Sequence, residues 1–186
     1  MAETLILING LPGSGKSTLS RQLSTALSAP VVSKDVLKEA LADIAQGRLS
    51  STRLGQIASE TMWELSAEIT GTVIVESWWF GPRDLDFVLR GVARSGRPHV
   101  IEVWCDVSPQ LAWSRYEART RHPIHPRGEE ARVPWEDWSK NVAPLSVGAT
   151  IRIDTSAPVD ITSLVYELNL LISPKRGRST RHPTVS

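Results

Sequence analysis

The stretch Gly10-Leu11-Pro12-Gly13-Ser14-Gly15-Lys16-Ser17 fills every position of the G-x-x-x-x-G-K-S/T phosphate-binding loop. Its glycines let the backbone wrap closely around a polyanion, so that successive amide N–H groups point inward. At this spacing Lys16 reaches the β- and γ-phosphates, and the hydroxyl of Ser17 is placed to ligate Mg²⁺, with Thr18 adding a second hydroxyl nearby. The loop therefore predicts a site for a nucleoside triphosphate and Mg²⁺.

A strand and a helix flank this loop, which is the context that the motif requires. Residues 4–9 form a short apolar run typical of a strand buried on both faces of a parallel sheet. After the loop, Leu19, Leu23 and Leu27 recur at helical spacing, and Pro30 closes the segment. The alternative, a glycine-rich turn with an exposed lysine, does not explain this context. The phosphates are therefore expected at a helix N-terminus.

Alternating strand and helix patterns continue along the chain. Further strands are predicted at 31–33, 72–76, 99–105 and 150–154, and helices at 34–45, 52–70, 83–94, 109–121 and 159–172. Short apolar runs separated by helices predict an α/β fold with a five-stranded parallel sheet. We expect one domain over residues 1–172, with a lid at about 115–135, and a flexible basic tail over 173–186. A nucleic-acid-binding arm is the alternative for that tail.

Composition limits the classes of partner. The 186 residues carry a formal net charge of +1, which gives no overall attraction towards nucleic acid or a membrane surface. The single cysteine, Cys105, excludes an internal disulfide and suits a reducing compartment. No apolar segment approaches the length of a membrane span. A cytoplasmic protein without a membrane partner is expected, and its oligomeric state is left open.

Acidic residues follow two of the predicted strands. Asp35 comes after the second strand, three residues before Lys38, and Glu76 ends the third. Ligands of open α/β sheets bind at the carboxyl ends of the strands, so both carboxylates should face the phosphate loop. Asp35 is then placed to accept the proton of an attacking hydroxyl, and Glu76 to hold an Mg²⁺ water or the substrate. The alternative for Asp35 is a helix cap.

Arginines cluster where the fifth predicted helix ends. Arg115, Arg119 and Arg121 precede a loop rich in proline that contains Arg127. This pattern predicts a mobile lid whose arginines cover the transferred phosphate, with an exposed basic face as the alternative. The two histidines of the loop, His122 and His125, have no cysteine or carboxylate at metal-ligand spacing, so an ordinary loop role is expected for them.

A tryptophan-rich segment lies where an acceptor should bind. Residues 77–83 follow the third strand and contain Trp78 and Trp79. Aromatic walls suit a flat or amphipathic small molecule, and they also suit stacked bases. The alternative is a hydrophobic plug beneath the lid.

This combination resembles the small P-loop kinases of the AAA_33 or zeta-toxin-like group, which include chloramphenicol phosphotransferase and the kinase domain of polynucleotide kinase. The resemblance runs from the first strand to about Ile172, and the layout is closest to chloramphenicol phosphotransferase. It implies a P-loop kinase fold, binding of ATP and Mg²⁺, a base at Asp35 and phosphate contacts from Arg115 to Arg121. It also implies that Thr155, in the turn after the last strand, lines the adenine site.

The expected function is transfer of the γ-phosphate of ATP to a hydroxyl of a small molecule, such as an antibiotic or another metabolite. Lys16, Asp35, Arg115 and Arg119 are the expected catalytic residues, and Asp35, Lys38, Glu76, Trp78 and Trp79 are expected to bind the acceptor. A polynucleotide 5′-hydroxyl kinase is the first alternative. Lys38 disfavours it, because polynucleotide kinases carry an arginine here and lysine cannot hold a phosphate bidentately. A nucleotide-binding switch is the second alternative, although the chain has no Asn-Lys-x-Asp motif.

Overall fold

Apolar runs form the strands at the predicted places. The structure is a computed structural model that describes residues 1–172, so the basic tail predicted at 173–186 lies outside the described residues. The strands are β1 (Ala2–Asn9), β2 (Val31–Ser33), β3 (Gly71–Glu76), β4 (His99–Asp106) and β5 (Ala149–Asp154). The helices are α1 (Lys16–Leu27), α2 (Lys34–Ala45), α3 (Ser51–Glu68), α4 (Gly81–Arg94), α5 (Pro109–Ala118), α6 (Glu129–Asn141) and α7 (Ile161–Ile172).

The strands pair in parallel in the order β2-β3-β1-β4-β5, which confirms the predicted α/β fold. Alternate residues of β1 enter different cores, because successive side chains point to opposite faces of a sheet. Leu5 and Leu7 pack with side chains of α3 and α4, such as Trp63. Ile6 and Ile8 pack with side chains of α1 and α7. The central strand is therefore covered on both faces.

The carboxyl ends of β2, β3 and β1 meet at one edge of the sheet. Glu76 is in register with Ser33 of β2 and with Ile8 of β1. The phosphate loop leaves β1 and α2 leaves β2 at this same edge. The register thus brings the loop, Glu76 and the first turn of α2 together.

Helix α2 is less buried than its sequence pattern suggests. Val36 and Ile44 stand at the helical spacing of an apolar face, but they are 64% and 77% exposed. None of the residues of α2 is buried, because this helix packs mainly on α3 at the β2 edge and not over the middle of the sheet. Its outer apolar residues therefore stay in contact with solvent.

The region after α5 differs most from the sequence-based expectation. Helix α5 ends at Ala118, so Arg121 is not helical as predicted. Helix α6 was not predicted, and it contains Pro134 in its interior, where proline removes a backbone hydrogen bond. Trp135 of α6 packs with Leu11 of the phosphate loop in a small third core. The lid predicted at 115–135 therefore ends inside a helix.

Candidate active site

The phosphate loop connects β1 to α1 and holds its lysine close to its own backbone. The Nζ atom of Lys16 donates to the carbonyl oxygens of Gly10 and Leu11, at 2.8 Å each. Lys16 is 8% exposed. Burial lowers the pKa of its ammonium below the usual value, whereas nearby acidic groups, with Glu76 the largest, oppose that shift. The ammonium group of Lys16 is thus held at the base of the loop by two backbone carbonyl groups.

Two glycines of the loop are required by the protein as well as by a ligand. Gly13 has φ +85°, and a Cβ atom there would lie 2.1 Å from the carbonyl oxygen of Ala112 in α5. Gly10 has φ +143°, and its Cβ would lie 2.7 Å from the carbonyl oxygen of Cys105. Glycine therefore also allows β4 and α5 to approach the loop closely. From the sequence, these glycines were expected only to let a polyanion approach the backbone.

Ser17 and Glu76 form the part of the site that fits a metal ion. The Oγ atom of Ser17 donates to Oε1 of Glu76 at 2.9 Å. Glu76 is 5% exposed. Hydroxyl and carboxylate oxygens are hard ligands of the kind that Mg²⁺ prefers. This donor set fits the ion that the resemblance implies, with Ser17 as the predicted ligand.

Asp35 lies in the first turn of α2 and faces the same cleft as the phosphate loop. Its Oδ2 atom accepts from Nη2 of Arg121 at 3.0 Å, and the Asp35 side chain remains 52% exposed. The alternative of a helix cap is wrong, because Ser33 occupies the N-cap position of α2. Asp35 is therefore accessible and oriented by an arginine.

Two lysines on α2 lie on either side of Asp35 in the sequence. Lys34 and Lys38 are one helical turn apart and line the cleft together. Nζ of Lys38 donates to Oγ of Ser51 at 2.8 Å. Burial lowers the pKa of both ammonium groups, an effect that Asp84 and Asp35 oppose at Lys34 and that Asp35 opposes at Lys38. Lys38 was predicted at this site, whereas Lys34 was missed although it adjoins Asp35.

The loop between α5 and α6 (119–128) crosses over α2 and closes one side of the cleft. In addition to the Arg121–Asp35 pair, Nε2 of His125 lies 2.7 Å from Oε1 of Glu39, and Nε2 of His122 lies 3.0 Å from Oδ1 of Asp43. Through these contacts the two histidines join the loop to α2. Within residues 1–172 no group of three potential metal-ligating side chains occurs. The ordinary loop role expected for both histidines stays a prediction.

The arginines predicted to cover the phosphates lie in different environments. Arg115 donates to the carbonyl oxygens of Thr155 and Ser156 at 2.9 Å each, so it holds the turn after β5. Arg119 lines the clefts on both sides of the phosphate loop. Arg127 donates to the backbone carbonyl of Arg121. Arg119 is thus the arginine best placed to meet a phosphate group, and the phosphate contact of Arg115 stays a prediction.

Of the two neighbouring tryptophans, Trp78 lies in the candidate site and Trp79 lies in the core. Trp78 lines the cleft and meets Trp138 of α6 edge to face, with ring centroids 5.8 Å apart. Trp79 is 2% exposed and stacks on Trp63, with ring centroids 6.2 Å apart. The prediction that Trp79 binds the acceptor is therefore wrong, because its side chain belongs to the core. Trp79 belongs to the core beneath α3 and α4, which contains no residue of the predicted lid, so the alternative of a hydrophobic plug beneath the lid does not describe it.

Two clefts open on opposite sides of the phosphate loop, and both are lined by Gly13, Gly15, Ser17 and Arg119. The first, the α2 cleft, has a volume of about 210 Å³ and is also lined by Lys34, Asp35, Lys38, Glu76, Trp78 and Trp138. The second, the β5 cleft, has a volume of about 720 Å³ and is also lined by Thr18, Gln22, Arg115, Thr155, Pro158 and Val159. A ligand that lies along the loop can therefore occupy both.

Sequence reasoning missed several residues that line the α2 cleft. They are Lys34, Arg83, Tyr116, His125 and Trp138. Lys34 had a usable signal, since it directly precedes Asp35. Trp138 lies on α6, which was not predicted and which meets α5 through the contacts of Trp135 with Trp113 and Tyr116. The position of Trp138 therefore depends on tertiary packing.

Comparison with known proteins agrees with this architecture. The AAA_33 family model, described as an AAA domain, matches residues 5–143, and the chain belongs to this family. A shikimate kinase from Corynebacterium diphtheriae is 27% identical over 120 residues, covering 64% of this chain and 66% of that relative, slightly less than two thirds of its length. The predicted membership of a small P-loop family is confirmed, whereas the closer likeness to chloramphenicol phosphotransferase stays a prediction.

Solved structures share the fold. A protein from Chloroflexus aurantiacus, provisionally classed as a kinase, has a TM-score of 0.76 at 27% identity, covering 89% of this chain and 96% of that one. A gluconokinase from Sinorhizobium meliloti has a TM-score of 0.57 at 16% identity, with 91% of each chain covered. At that lower identity the likeness concerns the fold alone.

Across residues 1–172, none of the helices has the length and the apolar character that crossing a bilayer requires.

Proposed function

We propose that this protein is an ATP-dependent kinase that transfers the γ-phosphoryl group of ATP to a hydroxyl of a small molecule. The observation that carries the proposal is that the phosphate loop and the carboxylate of Asp35 line one cleft. A base or orienting carboxylate beside the γ-phosphate position is what phosphoryl transfer to an alcohol needs. The relative named as a shikimate kinase supports a kinase with a small acceptor.

The two clefts suggest how the substrates are arranged. The β5 cleft, with Thr155 in its wall, takes the nucleoside, and the loop amides and Lys16 hold the phosphates. The α2 cleft takes the acceptor, and Asp35 orients its hydroxyl. The shared lining of the clefts, including Arg119, then lies where the transferred group passes. Catalysis in this arrangement is mostly positioning and charge stabilisation.

The acceptor oxygen forms a bond to the γ-phosphorus, and the bond from that phosphorus to the β,γ-bridging oxygen breaks. ADP leaves with the electron pair of the broken bond, and the hydroxyl proton passes to the carboxylate of Asp35. Arg119 stabilises the charge on the transferred group.

Mg²⁺ belongs to this proposal because Ser17 and Glu76 offer a hydroxyl and a carboxylate next to the phosphate loop. When bound there, Mg²⁺ neutralises charge on the phosphate oxygens. Ser17 is the proposed direct ligand, and Glu76 orients its hydroxyl. We also assign the reaction to the cytoplasm, a reducing compartment that suits a chain with one buried cysteine, Cys105.

The test is an ATP-consumption screen against sugars, hydroxy acids, nucleosides, antibiotics and 5′-hydroxyl oligonucleotides, repeated with Asp35→Asn. We expect at least one small acceptor to be phosphorylated. In Asp35→Asn the transfer rate should fall by roughly 10²–10⁴-fold with little change in ATP affinity. Asp86→Asn, an exposed position on α4, is the matched control. An unchanged rate in Asp35→Asn, or phosphorylation of oligonucleotides alone, would contradict the proposal.

A further inference from the structure

The α2 cleft is strongly cationic. Its lining includes two carboxylates, Asp35 and Glu76. The cationic side chains that line it are Lys16, Lys34, Lys38, Arg83, Arg119 and Arg121. Part of this excess faces the phosphates of a nucleotide, through Lys16 and Arg119. The remainder lies on the side where the acceptor is proposed to bind.

Two of the remaining cations are already neutralised within the protein. Arg121 pairs with Asp35 at 3.0 Å. Arg83 makes two contacts with Asp84, at 2.8 Å and 2.7 Å, and its guanidinium lies over the ring of Trp138. Their charges therefore add little net attraction for a ligand.

Lys34 and Lys38 have no such partner. Within residues 1–172, neither ammonium group has a carboxylate oxygen within 4.0 Å. Both are partly buried, and both line the α2 cleft but not the β5 cleft. A partly buried ammonium without a counter-charge is unfavourable, and for both lysines desolvation is the largest cause of the lowered pKa. An anion bound between them would restore the lost solvation.

Part of the wall of the α2 cleft is aromatic. Trp78 and Trp138 line it, and neither belongs to the two cores that cover the sheet. Aromatic rings pack well against the apolar body of a small molecule. The α2 cleft therefore contains two ammonium groups, of Lys34 and Lys38, an apolar wall and the carboxylate of Asp35.

We propose that the acceptor is a small hydroxy compound that carries a carboxylate or phosphate group, which Lys34 and Lys38 bind while Trp78 and Trp138 pack against its carbon skeleton. This inference rests on the proposed function and specifies its substrate class. The i, i+4 spacing places both ammonium groups on one face of α2, on the same turn as Asp35. An anion held there fixes the acceptor while its hydroxyl faces Asp35.

The experiment compares each anionic acceptor with its neutral counterpart. Hydroxycarboxylates are assayed beside their methyl esters, and sugar phosphates beside the free sugars, so that the two sources of negative charge are distinguished. We expect at least one anion to be phosphorylated with a kcat/KM at least tenfold above its neutral counterpart. In Lys34→Met and Lys38→Met, KM for the anion should rise about 10- to 100-fold, as expected for loss of a charge-assisted hydrogen bond.

Controls separate charge recognition from damage to the fold. In both lysine variants KM for ATP should stay unchanged, and Lys38→Arg should retain much of the affinity for the anion. Lys140→Met, at an exposed position on α6 outside the cleft, should behave like wild type. Equal or better phosphorylation of neutral acceptors, or equal effects of the lysine variants on anionic and neutral acceptors, would overturn the inference while leaving the kinase proposal intact.

If none of the compounds is phosphorylated, that result counts against the kinase proposal. A binding measurement then still tests whether the α2 cleft recognises an anion. The same anions are titrated into protein saturated with Mg²⁺ and a non-hydrolysable ATP analogue, and tryptophan fluorescence reports occupancy beside Trp78 and Trp138. Wild type should bind an anion at least tenfold more tightly than the Lys38→Met variant. Equal affinities, or preferential binding of oligonucleotides, would overturn the inference.

Discussion

At the scale of the residue, Gly13 meets two demands at once. It adopts a positive φ that L-amino acids rarely adopt, and it leaves space for the carbonyl of Ala112 in α5. Several other glycines of this chain also have a positive φ. The need for space arises because the backbone of α5 lies directly against Gly13. A backbone neighbour cannot move aside as the end of a flexible side chain can.

Replacing Gly13 by Ala should therefore be much more destabilising than the φ value alone implies. Gly47 is the matched control, because it has φ +77° and a Cβ atom added there would have no neighbour within 4 Å. We expect Gly47→Ala to lower the free energy of unfolding by about 1–2 kcal/mol, the usual cost of the left-handed conformation. Gly13→Ala should lose at least twice as much in a urea unfolding measurement. Equal losses in the two variants would contradict the proposed backbone contact.

The residues of the site differ in how visible they were in the sequence. The phosphate loop was predicted from spacing alone, and Asp35 and Glu76 from their places at strand ends. The sequence did not show which of Trp78 and Trp79 lines the cleft and which lies in the core. The two residues are adjacent in an irregular segment, where no periodic pattern predicts the direction of each side chain. The hydrogen bond from Arg115 to the turn at Thr155 was not predicted, and the phosphate contact of Arg115 stays a prediction. Side-chain partners of this kind are set by tertiary packing.

At the scale of the element, the loop 119–128 is fastened to α2 by two histidine–carboxylate contacts and one arginine pair. His125 is buried and lies against Glu39, while Asp35, Arg121 and Lys38 also act on its charge. Desolvation is the largest influence, and it lowers the pKa of His125 below its ordinary value of 6.5 despite the hydrogen bond to Glu39. The docked loop thus favours neutral His125.

Acid should therefore open this loop. When the loop leaves α2, the pKa of His125 returns towards 6.5, so the open state binds the proton more readily than the docked state. The docked state is favoured above that pH and loses its advantage as pH falls below it. We expect hydrogen-exchange protection of residues 119–128, corrected for intrinsic rates, to decrease between about pH 6.5 and pH 5.

His125→Gln should flatten this pH dependence, because glutamine does not titrate. His99→Gln, at an exposed position at the start of β4, is the control and should keep the wild-type profile. Protection that rises on acidification would show that the Glu39 contact outweighs desolvation, contrary to this prediction.

The elements themselves were predicted unevenly, for physical reasons. Strands of a parallel sheet are buried on both faces, so β1, β3 and β4 are mostly apolar runs that are easy to recognise, although β4 contains the buried Glu102. Helix α6 has a central Pro134 and a charged first turn, and tertiary contacts of Trp135 stabilise it. Propensity alone does not predict such a helix. The predicted end of the lid, at about residue 135, falls within this helix.

At the scale of the whole molecule, the sheet gathers parts that are distant in sequence around one loop. Asn9, at the end of β1, accepts from the backbone N–H groups of Gly10 and Trp79, at 2.8 Å and 3.1 Å. Its amide also donates to the buried Glu102, which accepts from the N–H groups of Leu145 and Ser146. The phosphate loop is therefore tied to β3, β4 and the segment before β5.

A nucleotide that binds this loop should stabilise the whole domain. A ligand that binds only the folded state at 100 times its Kd adds about 2.7 kcal/mol, which for a protein of this size raises Tm by about 5–10 °C. We expect this shift with Mg²⁺ and a non-hydrolysable ATP analogue in wild type. Lys16→Ala should lose most of it when measured against the variant's own ligand-free Tm, because Lys16 also contacts Gly10 and Leu11 without ligand. Lys140→Ala should keep the full shift. A full shift in Lys16→Ala would place the nucleotide away from the phosphate loop.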